Sequence, residues 1–342
     1  MSFSIGIVGL PNVGKSTLFK ALTKKEVEIS PRPFTTINPN IGIVSVPDNR
    51  LKKISEIVKP EKITPTTIEF VDIAGLVKEA HKGAGLGNQF LSHIRSCEAI
   101  IEVVRVFEDP KVEHVSGKID PERDIDIINI ELLMKDTESC ERILEKLKKK
   151  RDKRLNTLQK IQQGLFEEKP IRKIDLTEEE KTQIKEFQFL TEKPIVYLLN
   201  KDSDKINVEE FEKKLPSSLN LNLKLEKEIT ELTEKESEEL ELKSELDKII
   251  LACYNALNLI TFFTIAGGKE TKAWTVKVGA TCPEAGGVIH SDFEERFIKA
   301  EVIPWEKLIE AGGWKRAREL GWLKVVGRNY QVQNGDVIEF KI

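Results

Sequence analysis

No apolar run in the 342-residue sequence approaches the ~20 residues that a membrane-spanning helix needs, so no helical membrane protein is expected. Cysteine is scarce. Cys97, Cys140, Cys253 and Cys282 show no CxxC or other ligand spacing, which argues against a disulfide framework and for the reduced thiols of a cytoplasmic protein. The four histidines include no HExxH pair, so a zinc centre built by the protein is not expected. A charge bias is missing too. The net charge of −3 gives no overall signal for nucleic acid, DNA included, and only its distribution along the chain can. No basic-then-apolar leader precedes the first strand, because Met1-Ser-Phe-Ser runs directly into apolar sequence.

What the sequence does have is a phosphate loop. Residues 9–16 read Gly-Leu-Pro-Asn-Val-Gly-Lys-Ser, a full GxxxxGK(S/T) motif, between an apolar run (4–10) and a helical pattern (17–22). Strand, glycine loop and helix are the context the motif requires, and an idle glycine turn would not be expected to match it. Gly9 and Gly14 let backbone N–H groups close around phosphate oxygens at a helix N-terminus, with Asn12, Val13, Gly14, Lys15, Ser16 and Thr17 as the nucleotide-binding residues. Lys15 brings a cation to the β- and γ-phosphates, and the Ser16 hydroxyl can ligate Mg²⁺.

Residues 1–128 alternate apolar runs with polar connections, the pattern of βα units and a mostly parallel sheet. Strands are expected at Ile5–Leu10, Ile41–Val46, Thr67–Asp72 and Ile100–Phe107. Over 130–165 the period is helical, with Leu144, Leu147, Leu155, Leu158 and Leu165 on roughly one stripe. After a break at Lys169-Pro170, a capping box at Thr177 and Glu180 opens a second helix bearing Ile184, Phe187 and Leu190. These two helices are expected to form a hairpin inserted in the α/β domain, whose sheet resumes at residues 194–199. Residues 226–248 read as an acidic, solvated helix. From Ile260 onward, strands at 261–264, 273–278 and 337–342 with glycine turns suggest a separate small α+β domain.

Other pieces of a triphosphate site follow the loop. Asp72-Ile-Ala-Gly75 fits DxxG at a strand end, where Asp72 would hold the Mg²⁺ shell and the Gly75 N–H would sense a γ-phosphate. Thr36, in Pro-Phe-Thr-Thr (33–36), lies where a switch threonine should reach the metal. Leu76 stands where a Ras-like enzyme carries the glutamine that orients water, so hydrolysis must be slow or use another group. Asn200-Lys201 begins an NKxD-like base motif, but Ser203 replaces the carboxylate that selects guanine, which favours tolerance of adenine. Asn12 has the chemistry to help hold a monovalent cation such as K⁺, or simply to contact phosphate or solvent.

These residues resemble the Obg-like ATPases, the YchF-type branch of the Obg-related P-loop proteins. The resemblance spans essentially the whole chain. It is carried by residues 9–16, by Asp-Ile-Ala-Gly-Leu-Val-Lys-Glu-Ala (72–80) and by Gly-Leu-Gly-Asn-Gln-Phe-Leu (85–91). His-Val-Ser-Gly-Lys (114–118) and Gly-Val-Ile-His-Ser-Asp-Phe (287–293) add to it. It implies an OBG-type G domain (1–128 and 193–257), an inserted coiled-coil hairpin (129–192) and a β-grasp TGS domain (258–342). It also implies Mg²⁺-dependent ATP hydrolysis, ribosome association and a catalytic role for His114 in place of the missing glutamine. Two departures bear on the base: Ser203 where the family has Glu, and Asn222-Leu223 where it has Ser-Ala.

Between Lys146 and Lys160 lie eight basic residues and one acid, Asp152. On a protruding helix they would suit RNA phosphates; as a solvated face they would mean nothing. Trp274, Trp305, Trp314 and Trp322 concentrate in the last domain, mostly as core, with one or two rings available to stack on a base or a protein. Three functions remain open: a slow ribosome-associated ATPase switch, a guanine-specific GTPase of the same fold, and an adaptor in which nucleotide only stabilises the fold.

Overall fold

The structure, a computed structural model, describes residues 3–24, 40–73, 86–109, 117–148, 152–202, 213, 215 and 218–342. The chain begins β1 (Ser4–Val8), α1 (Lys15–Lys24), β2 (Asn40–Ser45), α2 (Asn49–Val58), β3 (Lys62–Thr64), β4 (Thr67–Asp72) and α3 (Leu86–Arg95). It continues β5 (Ala99–Val106), α4 (Pro121–Lys148), α5 (Leu155–Phe166), α6 (Glu178–Ile184), β6 (Ile195–Lys201) and β7 (Ser218–Leu221). After short helices come β8 (Leu259–Ala266), β9 (Glu270–Lys277), β10 (Lys299–Pro304), β11 (Lys324–Val326) and β12 (Asp336–Lys341). Among the described residues no helix is long and apolar enough to cross a membrane.

Two compact units emerge, one of residues 3–43 and 69–249, the other of 44–68 and 250–342. The first carries a sheet of order β2-β4-β1-β5-β6-β7, in which β1 pairs parallel with β4 and β5, and β6 with β5 and β7. β1 and β5 are buried at every position, as strands covered on both faces must be. The strand expected to reach Leu10 stops at Val8, because Gly9 turns the chain at φ +150°.

The helix expected over 130–165 is two helices. Asp152 accepts the Arg154 backbone N–H at 2.9 Å and its guanidinium at 2.7 and 2.8 Å, holding a turn ahead of α5. Leu144 and Leu147 of α4 therefore meet Leu158 and Leu165 of α5 in one core, completed by Cys140, Ile161 and Ile184. The Thr177–Glu180 capping box is present, but α6 ends at Ile184 and gives way to a short 3₁₀ turn. Leu190 lies beyond it because buried Asp136 captures the chain, accepting from Leu190 N (2.9 Å), Thr191 N (2.7 Å) and Thr191 Oγ1 (2.7 Å). The acidic stretch 226–248 is likewise three short helices rather than one. Its Glu226 is not solvated: it is buried and accepts from Ser244 Oγ (2.8 Å) and Glu245 N (3.0 Å).

The second unit carries a sheet of order β11-β10-β12-β8-β9-β3. Residues 44–68, read in sequence as part of the first α/β domain, belong here. β3 pairs parallel with β9, Lys62 opposite Glu270, and Leu51 and Ile54 of α2 pack on Phe263, Ala273, Ile303 and Val337. The opposite face buries Phe262, Val276, Ala300 and Ile338 against the helix Cys282–Ile289. All four tryptophans are half-buried against one or the other of these cores.

Asp136→Ala should destabilise the fold strongly, because it strands the buried N–H groups of Leu190 and Thr191. Each unsatisfied buried group costs about 1–3 kcal/mol. Urea unfolding should show a loss in or above that range; an unchanged midpoint would mean that these groups find other partners.

Candidate nucleotide site

The phosphate loop leaves β1 at Gly9 and enters α1 at Lys15. A Cβ on Gly9 would lie 2.5 Å from the Val103 carbonyl oxygen of β5, and one on Gly14 would lie 2.6 Å from Asn200 Nδ2. Both glycines also have positive φ, +150° and +111°, so no other residue fits either place. Asn12 takes φ +64°, which asparagine tolerates better than most side chains, at an exposed position in the loop.

Lys15 is buried to 9% exposure, and its Nζ donates to the loop carbonyls of Gly9 (3.0 Å) and Leu10 (2.8 Å). Burial lowers its pKa to about 8, opposed by the nearby Asp72 carboxylate. Asp72, at the end of β4, is pushed up by burial, while Lys15 and a hydrogen bond with Ser16 pull it down. Cation, hydroxyl and carboxylate thus converge at the N-terminus of a ten-residue helix, where the backbone also favours an anion. That set can neutralise phosphate oxygens and, through Ser16 and Asp72, offers oxygen ligands to a hard divalent cation.

Asn200 sits beside this cluster, buried at the end of β6. Its Nδ2 donates to Val13 O at 2.9 Å, and its Oδ1 accepts from Leu223 N at 3.1 Å. The sequence reading gave Asn200 to the base; in the structure both ends of its amide grip the protein, one of them the phosphate loop. Asn222 caps the helix Leu223–Ile229, accepting from Lys224 N (3.1 Å) and Leu225 N (3.0 Å). Leu223 is wholly buried, with Cδ1 3.3 Å from where a Gly14 Cβ would stand. Thr17 and Lys201 are half-buried and Ser16 is exposed.

Asn12, Val13, Gly14, Lys15, Ser16, Thr17, Asp72, Asn200 and Lys201 are all described. Thr36, Gly75 and His114 lie outside the described residues, as do Leu76 and Ser203. The sequence reading missed Val103 and Leu223. One acts through a main-chain carbonyl and the other by packing, and neither has a motif to reveal it.

Residues 4–201 match a family model described as "50S ribosome-binding GTPase". Residues 259–342 match the YchF-GTPase carboxy-terminal model, described as "Protein of unknown function". The "Ribosome-binding ATPase YchF" of Bacillus subtilis is 46% identical over 365 residues, covering 100% of this chain and 99% of the relative. That of Haemophilus influenzae is 48% identical over 361 residues, with 100% and 99% covered. The chain belongs to the YchF family. The solved YchF GTPase of Schizosaccharomyces pombe superposes with a TM-score of 0.86 at 37% identity, covering 99% of this chain and 98% of that one. The YchF fold therefore extends across both units. The names of these YchF relatives differ over the nucleotide, ATPase in the bacteria and GTPase in the yeast.

Two measurements test this site. A lysine attracts phosphate only when charged, and burial lowers the Lys15 pKa to about 8. Triphosphate affinity should therefore hold below that pH and fall about tenfold per unit above it, since binding must then supply the proton. Calorimetric titrations at pH 7 and pH 9 that give equal affinity would show that Lys15 does not carry the contact. Asn200→Ala should weaken ATP and GTP by the same factor, about three- to tenfold for the loss of a hydrogen bond that steadies the loop. A changed ATP-to-GTP ratio would return Asn200 to base reading.

Proposed function

We propose that the chain is a slow, Mg²⁺-dependent P-loop ATPase of Obg-like type that binds the ribosome and switches with its nucleotide state. The observation that carries this reading is the meeting of Lys15, Ser16 and Asp72 at the start of α1, in a chain that matches ribosome-binding ATPases over its whole length. Lys15 contacts the β- and γ-phosphates, and Gly14 with its neighbours wraps them in N–H groups. Mg²⁺, when bound, neutralises charge on those phosphates; Ser16 and Thr36 would ligate it and Asp72 would hold its water shell. Ser16 and Asp72 suit that role, being hydrogen-bonded to one another beside the loop. Gly75 reports the γ-phosphate through its N–H, and Asn12 can add a K⁺ at the loop. Because Leu76 cannot orient water, His114 positions it or moves its proton. Asn200 and Lys201 complete the nucleotide site, and the absence of a carboxylate at Ser203 admits adenine.

Residues 129–192 act as an inserted helical arm, and 258–342 as a TGS domain to which 44–68 contribute a helix and a strand. The arm's cations reach ribosomal RNA from the stretch 146–160. Arg154 is paired with Asp152 and Glu186, and Lys160 with Glu180, so Lys146, Lys148 and Lys153 are the cations there without an ion-pair partner among the described residues. An enzyme with this partner works in the cytoplasm. The yeast relative, named a GTPase, favours a second reading, a guanine-specific GTPase.

Side-by-side turnover of ATP and GTP separates the two readings, and negligible ATP use with brisk GTP hydrolysis would overturn the first. Lys15→Ala should weaken ATP binding about ten- to a hundredfold, as loss of a charge-assisted contact predicts. His114→Ala should lower kcat and leave ATP affinity unchanged, the signature of an interaction made only in the transition state. Parental turnover by His114→Ala would make that histidine structural.

A further inference from the structure

The first unit holds a groove that the nucleotide chemistry does not use. It has a volume of about 750 Å³ and runs between α3 and α4, walled by Ser92 and Arg95 on one side and by Glu138, Ser139, Arg142 and Glu145 on the other. Two guanidinium groups in it are drawn to one neutral atom. Arg95 Nη2 and Arg142 Nη2 both donate to Ser139 Oγ, at 2.9 and 3.3 Å. Their other bonds go to main-chain carbonyls, Arg95 to Gln188 O and Arg142 to Glu138 O.

Neither arginine has a carboxylate partner within ion-pair distance among the described residues, and Asp136 and Glu138 are engaged elsewhere. Asp136, which feels the Arg95 charge, accepts from Leu190 and Thr191 with both its oxygens. Glu138 faces Lys135 at 3.1 Å. Along the same wall, Glu141 and Glu145 are exposed and have no basic partner among the described residues. The groove therefore presents two uncompensated cations beside two uncompensated carboxylates. A polyanion gains from the first pair and is repelled by the second, so the pattern disfavours a nucleic-acid backbone.

We propose that this groove docks a helical protein segment carrying an acidic and a basic residue about one turn apart. Arg142 and Glu145 are spaced by about 4.5 Å along α4, matching side chains three or four positions apart on a partner helix. The partner's carboxylate takes the free N–H groups of Arg95 and Arg142, and its basic group meets Glu145 and Glu141. Ser139 holds the guanidinium groups in place, so little order is lost on docking. The proposal rests on the ribosome-binding reading and assigns this contact to a ribosomal protein, leaving rRNA to the cations of the arm.

A photo-crosslinking amino acid at position 92, an exposed place on the groove wall, tests it with purified ribosomes and the full chain. The crosslink should join a ribosomal protein. Arg142→Glu should lower both crosslink yield and ribosome affinity at least tenfold, with ATP turnover in the absence of ribosomes unchanged, and Arg142→Lys should keep most of the affinity. A crosslink to rRNA, or parental ribosome binding by Arg142→Glu, overturns the docking site while the ribosome reading stands. No co-sedimentation of the unmodified protein with ribosomes overturns that reading and the docking site together.

Discussion

The side chain of Asn200 is the fastener on which the nucleotide site depends. Its amide joins three segments that are far apart in sequence: the phosphate loop at Val13, the end of β6, and the start of the helix Leu223–Ile229. Gly14 is forced to be glycine by the same amide, since a Cβ there would lie 2.6 Å from Nδ2. Gly9 is forced from the other side by the Val103 carbonyl. The loop is thus held against β5 and β6, which pair parallel with one another, before any anion arrives. Preorganisation of that kind is what lets backbone donors bind phosphate without a further cost of ordering.

Burial sets the electrostatics of this clamp. Lys15 and Asp72 are each driven toward neutrality by desolvation, and each is held toward its charged form by the other. Bringing a phosphate beside Lys15 favours the charge that burial opposes. The same logic in reverse operates between α4 and residues 190–191. Asp136 is buried and is supplied with three donors, so its carboxylate serves as an anchor that turns the chain after α6.

Much of the site was legible in the sequence because its chemistry is local. The phosphate loop needs eight consecutive residues between a strand and a helix, and residues 9–16 announce all of it. Asp72 was legible because a strand end and a short motif coincide there. Asn200 was legible as a residue but not as a bond. Its motif suggested a base, whereas its amide bonds depend on Val13 and Leu223, whose nearness no spacing reveals. The leucine stripe over 144–165 was read as one helix, because two helices facing each other show the same period while burying Leu144, Leu147, Leu158 and Leu165 in one core.

Local states were in good part written in the residues themselves: eight of the twelve described strands, the capping box at Thr177 that starts a helix, and which side chains seek an interior. Those follow from periodicity, propensity and neighbours a few residues away. Partnership came from the folded chain alone. Leu51 and Ile54 of α2 pack on Phe263 and Ile303, a pairing that rests on contacts across some two hundred residues. β3 has three residues and pairs with β9 for the same reason. Short elements carry too little local pattern to name their neighbours. Which long-range contact wins is set by the packing of the whole unit.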